Sequence, residues 1–100
     1  MSQLEQDFDA RIRAAIIECH RLRYYPSDFE EMLRCATAIR VAEKLVTSGE
    51  LQSGLKRLAQ LNRLDLSIEF IMLETQFQPL FKEPVLEAAQ WRLDQVRPHQ

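Results

Sequence analysis

The chain has 100 residues, of which 46% are hydrophobic, and a net charge of −2 from 13 basic and 15 acidic side chains. That length holds one domain and one core, and 28% charged residues without an apolar run near the roughly 18 needed to span a bilayer excludes a membrane body. Two glycines and four prolines are too few for a sandwich or barrel, whose turns recur about every eight to twelve residues.

At about 100° per residue, Leu4, Phe8, Ile12, Ala15, Cys19 and Leu22 fall on one stripe with Ile16 on its flank, which predicts an amphipathic helix from about Ser2 to Arg23. Pro26 ends it. Ser27 followed by Glu30 reads as a capping box for the next helix. Ser27 to Ser48 does not behave as one helix. Phe29, Met32, Leu33 and Ala36 share one face, whereas Ala38, Ile39, Ala42, Leu45 and Val46 share another, which predicts a break near Cys35 to Thr37. Gly49 is expected to close the second half.

Leu55, Leu58, Ala59 and Leu61 predict a short helix over Ser53 to Leu61, stopped by a left-handed Asn62. Asp65 is expected to cap a further helix over about Leu66 to Thr75. Leu64 to Phe70 also alternates strictly, the signature of a strand. The four-residue step of Leu66, Phe70 and Leu73, and the lack of a partner strand, favour a helix near the centre of the fold. After Pro79, Pro84 opens the last helix, with Val85, Leu86, Ala89, Leu93 and Val96 as its stripe, and Pro98 ends it. The expected architecture is one all-α domain over 1–100, a compact orthogonal bundle of about five or six short helices.

Two stretches resemble a known pattern. Tyr24-Tyr25-Pro26-Ser27-Asp28-Phe29-Glu30-Glu31-Met32-Leu33 is similar to a Y-x-P-[ST]-x-F-x-x-M-L opening. Ser53-Gly54-Leu55 through Arg63-Leu64-Asp65-Leu66-Ser67-Ile68-Glu69, with Phe77, Leu80 and Phe81 after it, resembles a core that includes G-R-L-D-L-[ST]-[VI]-E. Together they resemble an uncharacterised family of small bacterial all-helical proteins over about residues 24–93. Thr37-Ala38 stands where that pattern has Gly-Gly, and Asn62 where it has glycine. The resemblance implies a helical fold and a bacterial origin, and transfers no activity and no catalytic residue.

Met1 to Ala10 is polar and acidic, unlike a signal peptide. Cys19 and Cys35 make no C-x-x-C motif, so reduced thiols in a cytoplasmic protein are expected. Cys19-His20 is the only adjacent nucleophile and base, but neighbouring helical residues point about 100° apart, and Cys19 lies on the core stripe. His99 near the chain end adds nothing to a metal site, which takes about four ligands. No catalytic, cofactor-binding or metal residue is therefore assigned, and an enzyme is not expected.

Arg63, Asp65 and Glu69 are charges inside the most apolar stretch. They are expected to form a structural polar cluster, with Asp65 as the cap and Arg63 pairing with either acid. In that arrangement Asp65→Ala loses about 1 kcal/mol. Lys56, Arg57 and Arg63 form a short basic patch beside Glu50 and Asp65, which would serve a nucleic-acid-binding accessory protein, although the charge balance shows no basic block. Ile17 and Trp91 project about 180° from the core stripes of their helices. Each is either covered by an irregular segment or is an anchor for a partner. The expected function is an interaction or accessory module acting through self-association or a protein partner, with Ile17 and Trp91 as the candidate surface.

Overall fold

Ser2 opens the first helix by accepting the Glu5 amide at 3.2 Å on its hydroxyl. In this computed structural model, which describes residues 2–48 and 53–97, helix α1 spans Gln3–Arg21 and buries Phe8, Ile12, Ala15, Ile16 and Cys19, the stripe expected from spacing. Gly49, Glu50, Pro98 and His99 lie outside the described residues. Helix α1 ends in a Schellman motif on a residue without the usual glycine. Arg23 takes a φ of 60°, its amide bonds the His20 carbonyl at 3.0 Å, and the Tyr24 amide reaches the Cys19 carbonyl at 2.9 Å.

Helix α2 runs Ser27–Cys35. The capping box expected at Ser27 does not form. Pro26 occupies the cap position, and the Ser27 hydroxyl donates back to the Tyr25 carbonyl at 3.4 Å. Glu30, freed from that role, faces His20 on α1. The expected break is present: Ala36 is extended at φ −152° and ψ 164°, and Thr37 accepts the Arg40 amide at 3.3 Å to start helix α3, Ala38–Val46. The break lets α3 turn its own stripe of Ala38, Val41, Ala42 and Val46 into the core.

Helix α4, Ser53–Gln60, ends in a second Schellman motif. Asn62 has the expected left-handed φ of 57°, and the Arg63 amide bonds the Leu58 carbonyl at 2.9 Å. The next segment departs from the expected helix over Leu66 to Thr75. Leu64–Leu66 form a 3-10 turn, and helix α5 is only Ile68–Met72. The cap is Ser67 rather than Asp65: its buried hydroxyl accepts the Phe70 amide at 3.1 Å and donates to the Leu64 carbonyl at 2.7 Å. The loss expected for a cap mutation therefore moves. Ser67→Ala should lower stability by about 1 kcal/mol, within the range for lost caps, read as a shift of the urea midpoint. A larger loss for Asp65→Ala than for Ser67→Ala would overturn this assignment.

A 3-10 turn at Gln78–Leu80 leads to helix α6, Glu83–Val96, with Pro84 in its first turn where a missing N–H costs nothing. Among the described residues there are six α-helices, two 3-10 turns and no strand, which establishes the all-α bundle. Helix α5 lies at the centre, packed on α6, α3 and α1, with Ile71 and Met72 fully buried. Helices α1 and α6 both pack on α3 and α5 and so flank that pair. One end of the core is closed by Phe8, whose ring meets Phe77 and Phe81 edge-on at 5.3 and 5.4 Å.

Candidate functional site

The two Schellman turns help bring five segments around one groove of about 750 Å3, with α3 adding Leu45 to the four described next. The C-terminal end of α1 supplies Ile16 and Cys19, the α1–α2 turn and α2 supply Tyr24 to Phe29 and Met32, α4 supplies Gly54 to Leu58 and Gln60, and Leu66 to Glu69 form the remaining wall. Tyr24 turns back over Cys19 with its hydroxyl against Gly54, where an added Cβ would collide with that oxygen. A side chain at position 54 would therefore require the Tyr24 ring to shift. On the outer wall, Tyr25 is 60% exposed and its ring lies 5.1 Å from that of His20. His20 Nε2 is 3.2 Å from Glu30 Oε2, which ties the end of α1 to the start of α2.

The lining is mainly apolar, with Ile16, Leu58 and Ile68 buried and Phe29, Met32 and Leu45 half-buried. Its two buried polar side chains, Ser67 and Glu69, are already bonded within the protein. Ser67 is held by Leu64 and Phe70, and the buried Glu69 carboxylate accepts from Arg92 Nε at 3.1 Å. Burial pushes the Cys19 thiol up from its ordinary value, opposed by Arg63 and reinforced by Glu18, Glu30 and Asp65. A thiol so placed is disfavoured as a thiolate, and the neighbouring His20 is directed to Glu30 and Tyr25. Burial, with smaller contributions from Cys19 and Asp28, likewise pushes the Tyr24 phenol up. The rim differs in character. Lys56 and Arg57 stand exposed on α4 and Asp28 exposed on α2, and the Arg57 guanidinium donates to Gln60 at 3.3 Å.

The charged cluster expected in the 63–69 stretch divides. Arg63 donates to both carboxylate oxygens of Asp65, at 3.1 and 3.4 Å, and to Glu18 of α1 at 3.5 Å. The hydrogen bond and charge of Asp65 hold the guanidinium above its ordinary value against desolvation, and Glu18 adds less. Arg63 is thus separated from Glu69 and committed to two acids, whereas its partners in the expected basic patch, Lys56 and Arg57, remain at the groove rim. Glu69 instead pairs with Arg92 of α6, a partner that sequence spacing did not point to. A signal was present, because Arg92 lies on the α6 stripe with Val85, Ala89, Leu93 and Val96.

Ile17 and Trp91 are exposed at 60% and 53%. Ile17 stands on the outer side of α1 and Trp91 on the outer side of α6. Among the described residues no group of three or more His, Cys, Asp or Glu is placed to hold a metal ion, and no helix is long and apolar enough to cross a membrane. Comparison of the chain with family models, with curated proteins and with solved structures found no match.

Proposed function

We propose that this chain is a small interaction module whose groove holds a short amphipathic segment of a protein partner. The observation that carries the reading is the division of labour in the groove. The buried Ser67 and Glu69 are bonded within the protein, the lining is mainly apolar, and among the described residues two cations stand clear of carboxylates at one rim. Such a surface gains most from apolar side chains inserted between the walls, with acidic residues beside Lys56 and Arg57. The volume lies in the usual range for a ligand site, about 300–1,000 Å3. Phe29 and Met32 are half-buried, and the flexible thioether of Met32 can adapt to different shapes.

The test is selection of displayed peptides on the immobilised full chain. Enriched sequences should combine large apolar residues at helical spacing with neighbouring Asp or Glu. Met32→Glu, which puts a charge in the apolar wall, should weaken selected peptides at least about tenfold, or 1.4 kcal/mol. Lys56→Glu with Arg57→Glu leaves the core untouched and should remove the preference for acidic flanks. Peptides that bind both variants as well as the native chain would sink the reading. Capture of oligonucleotides that falls steeply with salt and survives Met32→Glu would instead assign the α4 cations to phosphate.

A further inference from the structure

We infer that the segment held in the groove is the α6 face of a second copy of this chain, with Trp91 as the inserted side chain. This rests on the groove being a protein-binding site and names its occupant. Trp91, the chain's sole tryptophan, is 53% exposed although an indole is among the largest apolar groups a protein can bury. Helix α6 buries Ala89, Arg92 and Leu93 on its inner side, so the indole stands on the outer face. One turn before it on that face is Glu87, and one turn after it is Asp94, both exposed. Asp94 accepts from Gln90 at 2.9 Å and lies 3.7 Å from Arg97, and these are contacts along the helix surface. The outer face of α6 therefore carries an aromatic knob between two carboxylates.

The groove is an apolar slot with Lys56 and Arg57 on its α4 edge, the pair that complements the knob, and a single carboxylate, Asp28, on its α2 edge. Docking would place two carboxylates beside two cations and the indole against Met32 and Phe29, where the Arg57 guanidinium can also lie over the ring face. Charge complementarity of this kind selects the orientation and rejects the reverse one. No α6 residue lines the groove among the described residues, so a copy does not fill its own. The contact is head-to-tail: each copy offers one groove and one knob, and assembly grows with concentration. A single aromatic anchor with a polar rim belongs to the small, transient class of interfaces.

The experiment is sedimentation velocity of the full chain over a wide concentration range, with Trp91 emission read on the same samples. The mean mass should rise with concentration while the emission shifts to shorter wavelength as the indole leaves water. Lys56→Glu with Arg57→Glu and, separately, Glu87→Lys with Asp94→Lys should each weaken association at least about tenfold, because like charges then face each other. Mixing the two variants should restore it, since each offers the charge the other's knob or groove now needs. A misfolded variant cannot produce that recovery. A monomer at every concentration with unchanged Trp91 emission overturns the inference, as does association that persists in both double variants. If the monomer still binds selected peptides in a Met32-dependent way, the groove reading stands and only the second copy falls. If neither peptides nor copies bind, both fall.

Discussion

Arg92→Leu is expected to lower stability by about 3–5 kcal/mol, the loss seen when one partner of a buried ion pair is removed and the other charge stays behind. The Glu69 and Arg92 side chains are only 4% and 1% exposed, and Nε lies 3.1 Å from Oε2. For a domain whose whole stability is about 5–15 kcal/mol, that is a large fraction, and urea unfolding monitored by circular dichroism would read it directly. The double variant Glu69→Leu/Arg92→Leu has a different expectation. It leaves no buried charge, and the native pair is not fully satisfied, because Arg92 Nη2 is buried without a hydrogen-bond partner. An unpaired buried N–H costs about 1–3 kcal/mol, so the double variant should recover most or all of the loss. A single variant within about 0.5 kcal/mol of native, the range of ordinary surface changes, would show that the pair is not the buried clamp the geometry describes.

The same pair shows where sequence reading succeeds and where it stops. The α1 stripe, the break at Ala36 and Thr37, the left-handed Asn62 and the Pro84 start were all legible, because each depends on spacing or backbone preference within one helical turn or two. Helical phase pointed Ile17 and Trp91 away from the core stripes, but whether another segment covers them was not legible; the structure leaves both exposed. Asp65 was misassigned because two residue types that cap equally well stand two positions apart. The backbone between them takes a 3-10 turn, which passes the cap to Ser67. Ser27 failed as a cap because the helix starts one residue earlier: Pro26 takes the cap position, its carbonyl accepts the Glu30 amide at 2.9 Å, and the Ser27 hydroxyl donates to Tyr25.

The groove was not legible. It is assembled from five segments whose relative placement depends in part on two chain reversals, and one of those is made by Arg23, a residue type with no marked preference for a left-handed φ. Glu69 could be seen as an anomalous charge in an apolar run, but its partner lies 23 positions away and enters through tertiary packing. A pattern read along one helix gives direction, whereas a pair or a groove requires the neighbour that occupies that direction. Arg92 on the core face of α6 was the one local sign that an acid awaited it.

Phe8→Ala should cost about 3–5 kcal/mol, as large aromatic truncations in cores do. Phe8 is fully buried and holds edge-to-face contacts with Phe77 and Phe81 at interplanar angles of 73° and 69°. Each such contact is worth about 0.5–1.5 kcal/mol beyond the area it buries. The two partner rings lie before and after the 3-10 turn Gln78–Leu80, so the cluster anchors to the core a segment otherwise held by local hydrogen bonds. Phe8→Leu keeps much of the volume without the ring geometry and should lose less than half as much in a denaturant series. Equal losses for the two variants would mean that ring geometry contributes more than volume. The cluster also separates stability from binding. Phe8 and Cys19 are eleven residues apart on α1, about 16 Å along the axis, so the rings sit well away from the groove wall that Cys19 lines. A Phe8→Ala chain that remains folded should therefore bind groove-selected peptides with native affinity, whereas Met32→Glu should bind them weakly. A parallel loss of affinity in Phe8→Ala, measured where the variant is still folded, would mean that the two ends of the bundle are coupled through α1.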